Sequence, residues 1–132
     1  MNGAFVLNKE MARDQFDWGE IAWACRPENT ESAQLAILDV TITPGMGHNF
    51  HRHPDQEEMI YVLEGEIEQW IEKEKQILKP GDAVFIKKGI VHASFQRGER
   101  PAHLLAILSP SVGEGGYAME DVSGAAPWNA LR

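Results

Sequence analysis

One cysteine, Cys25, is present in the whole chain, so no disulfide can form within it. That suits a reducing compartment. Basic residues are also short, with 12 Lys and Arg against 20 Asp and Glu, a net charge of −8 with neutral histidines. Such a field repels a phosphate backbone, which argues against nucleic acid and anionic membrane as partners. No apolar run approaches the roughly 18 residues that a membrane helix needs. The first residues lack a basic segment and a long enough apolar stretch for a signal peptide, so a cytoplasmic protein is expected. The longest charged run, residues 72–75, mixes signs and reads as a solvated turn. No internal repeat and no clear linker is visible.

What is present is strand-like. Residues 35–42 are rich in β-branched side chains and end at Pro44-Gly45. Residues 59–63, 67–71, 77–78, 83–86, 91–96 and 103–108 follow, separated by turn signals such as Lys79-Pro80-Gly81-Asp82 and Lys87-Lys88-Gly89. Turns every 8 to 12 residues or so mark an all-β sandwich or barrel. Residues 11–18 fit either one helical turn or an extended arm. The expected organisation is one domain: an N-terminal arm with strands over 1–30, a barrel over 31–110, and an irregular tail over 111–132. The tail carries several glycines together with Tyr117, Met119 and Trp128, which water does not favour. These either pin the tail to the barrel or overhang its mouth as a lid.

Three of the five histidines are His48, His51 and His53. On a strand, positions 51 and 53 point to one face, so two imidazoles can reach one ion. Glu58 follows past the bend suggested by Pro54-Asp55. His92 comes much later, and only a closed barrel would bring it to the same point. His48 is out of phase with the pair and reads as a loop residue.

The glycines around these residues resemble a known pattern. Gly45, His51-Arg52-His53, Glu58 and Gly65 meet every spacing of the first motif of the cupin family. Gly81, Lys87-Lys88-Gly89, His92 and Gln96 follow the second motif, with Lys87 in place of a proline and Gln96 in place of an asparagine. The resemblance covers residues 45–96. It implies a cupin-type double-stranded β-helix, or jelly-roll barrel, with His51, His53, Glu58 and His92 as ligands to one divalent transition metal ion. Glu57 is a rival to Glu58, but only Glu58 leaves six residues before Gly65. Three imidazoles and a carboxylate suit Fe, Mn, Ni, Zn, Co or Cu. Gly45, Gly65, Gly81 and Gly89 read as turn residues needing positive φ or close backbone approach.

Parity then gives the cavity wall. Ile60 and Val62 share the face of Glu58. Ser94 and Gln96 share that of His92, and Gln69 lies inward on its strand. Phe50 and Arg52 face away. His103 shares a face with Leu105 and Ile107, either capping a core strand or reaching the mouth. Asn49 is a further candidate for the wall, and Tyr61 joins it only if the mouth is splayed. Gln69, Gln96, Ser94 and His103 are thus the candidate substrate-facing or supporting side chains. No Arg or Lys is placed inside, which favours a small neutral or singly charged organic ligand over a multiply charged one. A metal-dependent dioxygenase or isomerase is the expected function, and a non-catalytic binding or sensing module the alternative. The resemblance also implies a homodimer, and Trp18 and Trp23 either cover apolar surface or form its contact. Cys25 reads as a small buried hydrophobe rather than a nucleophile.

Overall fold

The computed structural model describes residues 2–132. Eleven strands form two antiparallel sheets. In chain order they are β1 (Arg13–Phe16), β2 (Gly19–Cys25), β3 (Ala36–Ile42), β4 (Gly47–Arg52), β5 (Glu57–Glu64), β6 (Glu66–Ile71), β7 (Glu74–Leu78), β8 (Ala83–Ile86), β9 (His92–Arg97), β10 (Ala102–Ser109) and β11 (Glu120–Asp121). The larger sheet runs β1-β2-β3-β10-β5-β8 and the smaller β11-β4-β9-β6-β7. The fold is a double-stranded β-helix. Residues 13–16 are extended, which settles the choice left open for that stretch. No helix among the described residues is long and apolar enough to cross a membrane.

Alternation along the strands builds the interior. On β10, Ala102, Leu104, Ala106 and Leu108 are buried while the residues between them are half-exposed. On β5, Glu58, Ile60 and Val62 are buried and Glu57, Met59 and Tyr61 are not. The main core fills the space between the sheets with Leu38, Val40, Ile42, Ile60, Val62, Ile67 and Leu104 among others. Burial of aliphatic side chains of this size contributes about 1.5–3 kcal/mol each.

A second apolar cluster lies on the far face of the smaller sheet. Phe50, Trp70, Val91, Ala93 and Phe95 pack there under Val122, Trp128 and Leu131 of the tail. Phe50 does face away from the interior, yet it is 1% exposed because the tail covers it. Glu68 fixes this arrangement by accepting hydrogen bonds from Trp70 Nε1 at 2.9 Å and from Arg132 Nε at 2.6 Å.

The N-terminal tryptophans cover apolar surface. Trp23 is only 8% exposed, belongs to the main core and donates its indole N–H to Asp14. Trp18 is half-buried between Phe16 and His48, with ring centroids 4.9 and 4.8 Å away.

Candidate metal centre

The smaller sheet supplies the histidines. His51 on β4 stands opposite His92 on β9, so cross-strand pairing brings two imidazoles together. His53 follows two residues on, and its carbonyl accepts the N–H of Gly89 at 3.0 Å, which ties the Pro54-Asp55 turn to the Gly89 turn. Glu58 enters from β5 of the facing sheet. All four side chains are buried, at 4, 4, 6 and 2% exposure for His51, His53, Glu58 and His92. Glu57, the rival carboxylate, is exposed.

Each histidine has one ring nitrogen committed to the backbone. His51 Nδ1 lies 2.6 Å from the Asn49 carbonyl, His53 Nδ1 3.2 Å from that of Ala118, and His92 Nδ1 3.0 Å from that of Ile90. A carbonyl oxygen only accepts, so each Nδ1 carries the proton. Each neutral ring then offers its Nε2 lone pair, the form a metal binds. The ligating atoms of the three rings lie within 4.8 Å of one another.

Glu58 Oε1 lies 2.9 Å from His92 Nε2 and 3.5 Å from His53 Nε2. Neither Glu58 Oε1 nor His92 Nε2 has a hydrogen bond of acceptable geometry, although both are fully buried. Either a cation between the two atoms or a proton on His92 Nε2 meets this contact, since burial lowers the His92 pKa but the Glu58 carboxylate beside it raises it overall. At bond lengths of about 2.1 Å, ligand atoms sharing one ion lie roughly 3.0–3.4 Å apart for angles between 90° and tetrahedral. The donor set therefore fits one divalent transition metal ion.

Electrostatics agree with that fit. Burial lowers the pKa of His53 and holds that of His51 well below its usual value, so both stay neutral. Burial by itself would raise the Glu58 carboxyl, but His92 and His53 beside it hold it below the ordinary range. Glu58 thus stays charged beside the histidines.

His48 is not a loop residue. It lies on β4, pairs with Ser94 and lines the cavity. The pairings His48 with Ser94 and His51 with His92 leave Asn49 and Phe50 together opposite the single Ala93, a β-bulge. The extra residue turns His48 to the same side as His51, and the two rings stack at 3.7 Å. Burial lowers the His48 pKa to about 4, so the ring is neutral near pH 7. Tyr117 from the tail also lines the cavity, 5.6 Å from the His53 ring and 5.5 Å from that of Trp23. Burial and the Glu58 charge push its pKa up, so the phenol stays protonated.

Of the four supporting candidates, Ser94 lines the cavity. Gln69 does not. It accepts the Ser94 hydroxyl at 2.6 Å from the other side and faces a separate open cleft of about 620 Å³ between β7 and β8, the free edges of the two sheets. Gln96 is spent on structure. Its Oε1 accepts the Gly45 N–H, and its Nε2 donates to the carbonyls of Gly98 and Arg100. His103 lies on the outer face of β10, paired with Asp39, so it neither caps the interior nor reaches the mouth. Tyr61 is likewise outside, at 41% exposure. The remaining wall is aliphatic, from Ile21, Leu38, Val40, Ile42, Ile60, Leu104 and Ala106, and no Arg or Lys lines it.

A two-sheet β-helix with histidines and a glutamate converging in its interior defines a metal-cupin-like protein. The model of the cupin domain matches residues 38–108, and the chain belongs to the cupin family. A curated relative is "Germin-like protein subfamily 2 member 2" of Arabidopsis thaliana, 35% identical over 89 residues, which are 64% of this chain and 40% of that protein. The chain spans about half or less of the length of the first curated relatives it matches. Among solved structures, KdgF from Halomonas sp. is similar with a TM-score of 0.71 and 23% identity over 81% of this chain and 94% of that one. The S161A mutant of Bacillus subtilis oxalate decarboxylase OxdC gives 0.76 and 20% over 88% and 31%. At these identities the likeness shows the fold.

Proposed function

We propose that this chain is a metal-dependent enzyme that transforms a small organic molecule by dioxygenase- or isomerase-type chemistry. His51, His53, His92 and Glu58 hold one divalent ion drawn from Fe, Mn, Ni, Zn, Co and Cu. The observation that carries the reading is the orientation of the donors. Three buried imidazoles have their Nδ1 protons on backbone carbonyls, and their free nitrogens gather beside a buried carboxylate. Such an ion, when bound, supplies a Lewis acid that polarises a substrate oxygen. The aliphatic wall excludes water, and Tyr117 and His48 give the cavity two polar groups besides the ligands and Ser94. Germin-like, KdgF and oxalate decarboxylase relatives support a small-molecule cupin.

Elemental analysis of protein purified without chelator or nickel column tests the ion. About one equivalent of a transition metal is expected in the native chain and less than about a tenth of that in His92→Ala. Metal content untouched by His92→Ala overturns the reading. Incubation of the Fe, Mn and Ni forms with small diketones, oxo acids and thiol acids then tests turnover. A binding or sensing module is the second reading, favoured by the lack of any acidic group in the wall beyond Glu58. Ligand-induced thermal shift without product in any metal form decides for it.

A cytoplasmic homodimer belongs to the same proposal. The single cysteine supports a reducing setting. The surface offered to a second copy is the outer face of the larger sheet. There Ile37, Ile107, Met59 and Phe85 stand in one cross-strand row over β3, β10, β5 and β8, with Met59 38% and Phe85 46% exposed. Phe5 at 98% and Leu7 at 49% exposure add apolar surface that a second copy would cover. Molar mass in solution near twice that of the chain is expected, falling to the monomer in Phe85→Asp. A monomeric native protein refutes it.

A further inference from the structure

The cavity that holds the metal-ligand side chains is small, about 40 Å³. A site needs about 10–15 Å³ by this measure to take one water, so the space accommodates roughly three water-sized groups. An ion takes one share. What remains cannot hold a ring or a long chain.

Tyr117 closes this space. It arrives on the segment before β11, where Gly113 and Gly116 bridge one another with both N–H···O distances at 3.0 Å. One side of the ring faces water, at 40% exposure, while the residue also lines the cavity beside His53. The next residue, Ala118, gives its carbonyl to His53 Nδ1. The closing ring and a metal-ligand histidine are therefore held by one stretch of backbone. Among the described residues the Tyr117 hydroxyl has no hydrogen-bond partner, so its donor is free for a ligand. The His48 ring, stacked between Trp18 and His51, makes no hydrogen bond either.

Charge narrows the choice. Glu58 brings one negative charge and the histidines none, so a divalent ion leaves the site at +1. A monoanion neutralises it, and a multiply charged ligand finds no Arg or Lys.

Building on the metal-site reading above, we propose that Tyr117 is the specificity-determining residue of this cavity. It admits singly charged oxyanions of about four non-hydrogen atoms or fewer, typified by formate and acetate, and donates its hydroxyl to the ligand's oxygen. Larger acids are excluded by its ring.

The test uses the full chain loaded with Co(II), whose visible absorption reports a ligand entering the coordination sphere, with metal content measured for every variant. Formate, acetate and benzoate are titrated at pH 7.5 or so. The native chain is expected to bind formate and acetate at least about tenfold more tightly than benzoate. Tyr117→Phe keeps that size preference and loses about tenfold in formate affinity, the worth of a hydrogen bond to a charged group. Tyr117→Ala gains benzoate by about tenfold relative to acetate. Benzoate and acetate binding equally to the native chain, or an unchanged ratio in Tyr117→Ala, overturns the inference while leaving the metal site intact. A native chain that takes up no Co(II) overturns the metal reading, and the inference with it.

Discussion

Glycines with the same backbone sign need not carry the same cost of substitution. Gly45, Gly65, Gly81 and Gly89 all have positive φ, at 82°, 73°, 92° and 77°. A Cβ added at Gly45, Gly81 or Gly89 meets nothing within 4 Å. One added at Gly65 stands 2.5 Å from the Pro101 carbonyl oxygen, where the chain passes between β5 and β6 against the start of β10. Gly81→Ala should therefore cost only the left-handed penalty, about 1–2 kcal/mol. Gly65→Ala adds a backbone clash and should cost at least about twice that. Denaturant midpoints of the two variants check the order, and equal losses would show that the close approach relaxes freely. The glycine spacing was legible in the sequence because positive φ is a local demand. The distinction among the four was not, because the Pro101 carbonyl lies 36 residues from Gly65 along the chain.

Elements read well where pairing is regular. Alternation on β5 and β9 placed Glu58 and Ser94 at the cavity because side-chain parity holds along these strands. On β4 the residue inserted opposite Ala93 reversed that parity, and His48 was misplaced although it sits three positions from a ligand. His103 raised a different difficulty. Both faces of β10 carry apolar side chains, so hydrophobicity alone did not say which was inside. Tyr117 lies in a stretch without strand periodicity, where a sequence gives no direction at all. The tail nonetheless has a readable anchor in the structure. Glu68 accepts from Trp70 and Arg132, and the Arg132 guanidinium lies 3.9 Å over the Phe95 ring. Burial alone would raise the Glu68 carboxyl, but the donors from Trp70 and Arg132 hold its pKa below the ordinary 4.5. A carboxylate with a depressed folded pKa contributes stability that is complete above its unfolded value and is lost as pH falls through the folded value. The contribution is about 1 kcal/mol or less, because Arg132 is half-exposed. Glu68→Gln should therefore lower stability at pH 7 by about that amount, and the difference from the native chain should shrink as pH falls below 4.5. Hydrogen exchange of the amides over residues 122–131 checks that the loss is in the tail, and protection unchanged at pH 7 counts against the anchor.

The whole molecule brings donors from both sheets to one point, and this has a thermodynamic consequence. His51, His53 and His92 belong to the smaller sheet and its flanking turn, Glu58 to the larger. Without a metal ion, Glu58 Oε1 and His92 Nε2 lie 2.9 Å apart and can share a proton, because the Glu58 charge raises the His92 pKa despite burial. Unfolding separates the four ligands along 41 residues of chain, from His51 to His92, so the unfolded state binds an ion far more weakly. A ligand bound only by the folded state stabilises it by about 2.7 kcal/mol at a free concentration 100 times its dissociation constant. In a domain of 132 residues that corresponds to a rise in Tm of roughly 8–14 °C. Calorimetry with and without Mn(II), Co(II) or Zn(II) measures it. The same titration of His92→Ala should give a shift of about 2 °C or less at the same metal concentration. If instead the variant gains as much as the native chain, the ion is binding somewhere other than the junction of the two sheets. The interior donors would then be a proton-sharing pair of the folded protein rather than its metal centre.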